Sequence, residues 1–159
     1  MDITPLFGIS LLTQSILLPV LVYWSTPPVR SCRVNTDGCV KDGFASGGKI
    51  IRDSLGQCVR AFFSSYCECP ILKAELRAIL DSIILARRIA AVRHIRHLIA
   101  FDRNTISHIY REGNQVVDLL ASKGWNRRCY FEYSIQDILR QYRSLVQIDK
   151  HGLPIVRGL

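Results

Sequence analysis

His108-Ile109-Tyr110-Arg111-Glu112-Gly113-Asn114-Gln115-Val116-Val117-Asp118 is the stretch on which the reading of this chain turns. The alternation from Asn104 to Tyr110 predicts a strand, Glu112-Gly113-Asn114 a turn, and Gln115 to Lys123 a helix stopped by Gly124. Asp118 then falls in the first turn of that helix, with His108 on the strand before it. Two upstream stretches carry acids in comparable places. Val34-Asn35-Thr36-Asp37-Gly38 ends an apolar strand on a carboxylate, and Ala74-Glu75-Leu76 puts another in the early turns of a helix. Each helical acid also has a plain role as partner to the helix dipole. Three acids at the ends of three elements point further, to one edge of a sheet where they meet.

Outward from these motifs the order of elements can be read. Ser25-Thr26-Pro27-Pro28 reads as a linker, because proline lacks an amide hydrogen and holds its predecessor extended. Arg30–Asp37 reads as a first strand, Lys41-Asp42-Gly43 as a turn, and Phe44–Arg52 as a second strand loosened by Gly47-Gly48. Asp53-Ser54-Leu55-Gly56 is a second turn, and Gln57–Tyr66 a third strand, which completes an antiparallel meander. Pro70 opens a long helix. Its apolar residues Leu72, Leu76, Ile79, Leu80 and Ile83 recur at helical spacing and continue to Leu98. One unbroken helix from Ile71 to Phe101 would be about 45 Å long, so a break is expected near Ala90-Ala91. Ser134 caps a last amphipathic helix that runs to Ile148.

The chain has 159 residues, enough for one domain, and 48% of them are hydrophobic, which supplies a core. Its 21 Lys and Arg against 13 Asp and Glu leave a net charge of +8, which suits a polyanionic partner. The six cysteines match no disulfide framework and no zinc spacing, and read as reduced packing residues of an intracellular protein, nuclear or cytoplasmic. Leu6 to Trp24 is without charge but contains Gly8, Gln14 and Pro19. A membrane segment there is the weaker reading against a helix packed on the domain or unrelated sequence joined to its front. The expected organisation is an apolar segment 1–24, a linker 25–29, a domain 30–126 shortened near 89–91, and a helix and tail 127–159.

Clustered carboxylates raise one another's pKa and are costly without a cation. Mg²⁺ takes hard oxygen ligands of this kind, and Mn²⁺ can replace it. Two such ions can activate a water and stabilise the leaving oxygen of a phosphodiester. His108 is suited to moving a proton, or is simply a solvent-facing strand residue. Asn114 either orients a ligand or holds a left-handed turn.

Asn35-Thr36-Asp37-Gly38, Ala74-Glu75-Leu76 and the His108–Asp118 stretch, in that order, resemble the ribonuclease H-like domains of plant reverse-transcriptase-like proteins, which derive from retroelements. Asp149–Arg157 resembles the closing segment of that family. The resemblance implies an α/β fold with a mixed sheet ordered 3-2-1-4-5: the antiparallel meander, parallel strand(s) beside it, and flanking helices. It implies metal-dependent hydrolysis of RNA in RNA–DNA hybrids, with Asp37, Glu75 and Asp118 as metal ligands and His108 and Asn114 as further catalytic residues. The chain departs from the family between Glu75 and His108. Residues 76–107 are too few for the fourth strand and its acid, so that strand is expected to be missing, the first strand to be an exposed edge, and nuclease activity to be weak or lost. The three functions in competition are a hydrolase, a nucleic-acid-binding remnant, and a membrane-anchored protein. Duplex binding is expected through Lys73, Arg87, Arg88, Arg93 and Arg96 on the long helix, without sequence preference, in a monomer.

Overall fold

The computed structural model describes residues 19–92, 105 and 107–157. Alternation and turn chemistry build a meander of β2 (Cys32–Lys41), β3 (Phe44–Asp53) and β4 (Cys58–Tyr66). Asp42 and Gly43 turn β2 into β3 at φ of 51° and 78°. Asp53 Oδ1 accepts from the amides of Leu55 and Gln57 at 2.9 Å each and closes the next turn. A three-residue strand, β5 (Phe131–Tyr133), adds to the free side of β4, so the sheet runs β2-β3-β4-β5. A second small sheet pairs β1 (Val20–Val22) with β6 (Ile155–Arg157). The fold is mixed α/β, with three α-helices and one 3₁₀ turn among the described residues.

Every strand pair among the described residues is antiparallel. The parallel strand(s) expected beside the meander are absent from these residues, and β2 is an edge of the described sheet. The strand expected at Asn104–Tyr110 is not formed either: Thr105 and Ser107–Tyr110 lie outside any strand. The segment leads instead through a 3₁₀ turn at Arg111–Asn114 into α2 (Gln115–Arg127). Gly124 does not stop α2; the helix passes it and ends on Arg128, whose left-handed φ of 50° lets its N–H donate to the Gly124 carbonyl. Ser134 caps α3 (Ile135–Lys150), its Oγ accepting from the Asp137 amide at 3.2 Å.

Helices cover both faces of the sheet. On one, Val116, Val117 and Leu120 of α2 and Ile138, Tyr142 and Val146 of α3 enclose Ile50, Ala61 and Phe63. On the other, α1 (Ile71–Val92) seats Leu85 and Ala86 over Ile51 and Phe62. The side of α1 toward the sheet is small: Ala74, Ala78 and Ser82 are buried, whereas Leu72, Leu76, Leu80 and Ile84 are 49–68% exposed. Of the apolar repeat, Leu72, Leu76, Leu80 and Ile83 face outward, whereas Ile79 is half-buried and Ile89 packs against the Ile51–Phe62 cluster. Close approach is the reason. A methyl at Gly47 would come within 3.0 Å of the Ala78 Cβ, and one at Gly48 would overlap the Val117 carbonyl and the Ala121 amide of α2. The two glycines expected to loosen β3 instead leave bare backbone under a helix on each face.

The apolar stretch before the prolines is part of this fold at its end. Trp24 is 1% exposed, and its Nε1 donates to Asn35 Oδ1 at 2.8 Å. No helix among the described residues is long and apolar enough to cross a membrane. α1 is described as far as Val92; the break expected near Ala90-Ala91 borders residues 93–104, which lie outside the described residues.

Candidate metal centre

Asp37, Glu75 and Asp118 come together at the β2 edge, each from a different element. Asp37 is half-buried on β2 opposite Gly48, on the face that α2 covers. The first turn of α2 brings Asp118 within hydrogen-bonding reach of it. Glu75 arrives from α1 and accepts the Gly38 backbone N–H. Gly38 makes that arrival possible: a methyl there would lie 2.8 Å from the Glu75 nitrogen and 3.1 Å from the Ala74 carbonyl carbon. Asn114 ties α2 to the same strand, its Nδ2 donating to the Thr36 carbonyl at 3.0 Å. Its φ is −127°, so it holds no left-handed turn. Its Oδ1 is buried and has no partner among the described residues.

The electrostatics arise from this crowding. Burial, then the negative charges of Glu75 and Asp118, push the Asp37 carboxyl up to about 7. Burial also raises Glu75, with the Gly38 amide acting against it. The one cation at the cluster among the described residues is Arg111, from the 3₁₀ turn. Its guanidinium reaches Asp118 Oδ1 at 2.7 Å and Oδ2 at 3.0 Å while 78% exposed. Cys39, two residues beyond Asp37 on the same face of β2, is raised first by burial and then by Asp37. Neither Arg111 nor Cys39 stands out in the sequence as a site residue. Arg111 lies within the decisive motif, but nothing in its spacing assigns it to an acid.

His108 is not brought to the three acids. It is exposed, stands edge-on to the Tyr110 ring at 5.4 Å between centroids, and lines a hollow with Leu21, Val22 and Tyr23. The hollow beside Asp118 is lined instead by Arg111, Glu112, Gln115 and Leu119. Lys73, Arg87 and Arg88 lie exposed along α1; Arg93 and Arg96 lie outside the described residues.

The donor set is three carboxylates, the hard-oxygen chemistry that Mg²⁺ takes. Among the described residues no three His, Cys, Asp or Glu side chains close around a single point to form a ready cage. What they form is an acidic edge at which burial and the charges of Glu75 and Asp118 push Asp37 up to about 7, with only an exposed arginine to offset them. A divalent cation fits that deficit, with water and substrate oxygens completing its shell. No protein-family model matches the chain, and no curated protein and no solved structure is detectably similar to it.

Proposed function

We propose that this chain binds nucleic acid at a ribonuclease H-type acidic edge, takes Mg²⁺ or Mn²⁺ there, and hydrolyses the RNA strand of RNA–DNA hybrids weakly or no longer at all. The observation that carries the reading is the convergence of Asp37, Glu75 and Asp118 from three separate elements. A structural role does not account for it, because three acids gathered on one edge cost stability. A bound ion supplies a polarised water and charge neutralisation at a phosphate. The chain's own contribution is to hold the ligands: Gly38 fixes Glu75, β2 fixes Asp37, and Asp118 is shared with Arg111, so that an ion competes with that guanidinium. No described strand lies beyond β2 to bring a fourth acid, which favours binding without efficient cleavage.

Calorimetric titration with Mg²⁺ and with Mn²⁺ tests the reading on the full chain. Binding should be weak, at millimolar metal, and Asp37→Asn should abolish it. A labelled RNA–DNA hybrid should be cut at least about 100-fold more slowly than by an enzyme with four acids, on the scale by which lost metal-site groups reduce activity. Absence of any heat with either ion would remove the metal site. Cleavage at the rate of a four-acid enzyme would remove the statement that activity is weak.

A further inference from the structure

The turn between β2 and β3 carries a second feature, at the opposite end of β2 from the linker. Lys41 Nζ lies 4.5 Å from the centroid of the Trp125 ring, and Trp125 Nε1 donates to the Lys41 carbonyl at 2.7 Å. Beside them Arg128 Cζ stands 3.7 Å over the Phe44 ring. Lys41 and Phe44 are direct partners across the turn, so the two cation–aromatic pairs are neighbours. Arg127, the residue before Arg128, is also exposed. None of the three cations has a carboxylate within ion-pair distance among the described residues. Asp42 lies in the turn and the Glu68 carboxylate beside Gly43, and neither forms an ion pair with them.

Arg128 holds its place against a local preference. It occupies the left-handed position that ends α2, where glycine is the usual residue, and a side chain there is strained. The helix dipole accounts for a cation at this end of α2. It does not account for Lys41, which belongs to the strand. Aromatic rings fix both groups while leaving their charge unpaired, which is how a protein preorganises cations for an anion that comes from outside.

Asp37, Cys39 and Lys41 alternate onto the face of β2 that α2 covers. Lys41 is thus about 13 Å along the strand from Asp37, at roughly 3.4 Å per residue. We infer that Lys41, Arg127 and Arg128 form a seat for the phosphate backbone of a nucleic-acid strand, a few nucleotides from the acidic edge. The inference builds on the site reading, since the acids mark where the strand passes. It moves the main backbone contact away from the arginines of α1 to the turn beside Trp125.

The test uses the full chain with Lys41→Gln and Arg128→Gly combined, and a fluorescent RNA–DNA hybrid followed by anisotropy over a salt series in EDTA. Glycine accepts the left-handed position, so the double variant should melt no lower than the parent. Affinity at low salt should fall about tenfold or more, and the slope of log K against log salt should flatten by roughly 1–2 units, as expected for two lost phosphate contacts. Arg140→Gln, which removes one exposed charge from α3, should leave the slope unchanged. An unchanged slope in the folded double variant, or no hybrid binding by the parent, overturns the inference. Magnesium calorimetry separates the two readings. Heat retained by the double variant with hybrid binding lost supports both; no heat from the parent with the slope change intact removes the metal site and leaves the phosphate seat standing.

Discussion

Two groups of charges in this molecule obey opposite rules. Around β3, cations are buried and matched. Arg52 is 1% exposed; it donates to Asp149 Oδ2 at 2.5 Å and to Asn35 Oδ1 at 3.1 Å, and stacks 4.6 Å from the Trp24 ring. Lys49 is fully buried and donates to Asp81 Oδ2 at 2.7 Å and Ser64 Oγ at 2.8 Å, while Tyr66 donates to the same Asp81 oxygen. At the β2 edge, three acids share one exposed arginine. The first arrangement is what structure requires of a charge taken out of water. The second is what structure avoids, and its persistence is the physical argument for a ligand.

The largest expected effect breaks the matched side. Arg52→Met leaves Asp149 buried without its partner and should cost about 3–5 kcal/mol in urea unfolding, most of it recovered when Asp149→Leu is added. A loss below about 1 kcal/mol would mean the pair does not hold α3 and Trp24 to the sheet.

Gly38→Ala comes next and tests the mismatched side through its scaffold. The methyl must displace the Ala74–Glu75 backbone, at a cost of about 1–3 kcal/mol. Mg²⁺ affinity should fall with it, because Glu75 is carried away from Asp37. Calorimetry showing full affinity in the destabilised variant would detach Glu75 from the site.

Asp37→Asn should act in the other direction. The folded carboxyl titrates at about 7 against an ordinary 3.8, so the folded state holds this proton more tightly than the unfolded chain. The associated stability is complete below about pH 4 and is lost as pH rises through 7. In EDTA at pH 8 the variant should be more stable than the parent by about 1–2 kcal/mol, a figure reduced because the carboxylate is only half-buried. The difference should close by pH 4, and melting curves that stay parallel across that range would refute the assigned cause. Smallest is Arg111→Ala, which frees Asp118. An exposed pair is worth up to about 1 kcal/mol, so Mg²⁺ should bind up to about fivefold more tightly, as calorimetry would read.

What could be read from the sequence depends on the range of the interactions. The turns at Asp42-Gly43 and Asp53–Gly56 and the Ser134 cap depend on a few adjacent residues, and the structure has them where local chemistry puts them. The facing of α1 depends on volume across the sheet. Leu72, Leu76 and Leu80 look like a core stripe until Ala74 is seen against Gly38 and Ala78 against Gly47, which no periodicity reveals. Strands β1, β5 and β6 are three residues each and exist through their partners alone. Asp37, Glu75 and Asp118 could be picked out because each sits at an element's end. The position of His108 could not, since the strand that would have carried it does not form. Lys41 is far in sequence from Trp125 and Arg128 and is joined to them only by the way α2 lies along β2.

The bare backbone at Gly47-Gly48 has one more consequence. With a helix pressed on each side of it, β3 acts as the spacer of a caliper, and the jaws are Glu75 on α1 and Asp118 on α2. The separation of those two carboxylates is set by two residues that carry no functional group of their own. A larger residue at 47 or 48 would move Glu75 and Asp118 apart while leaving every carboxylate chemically intact.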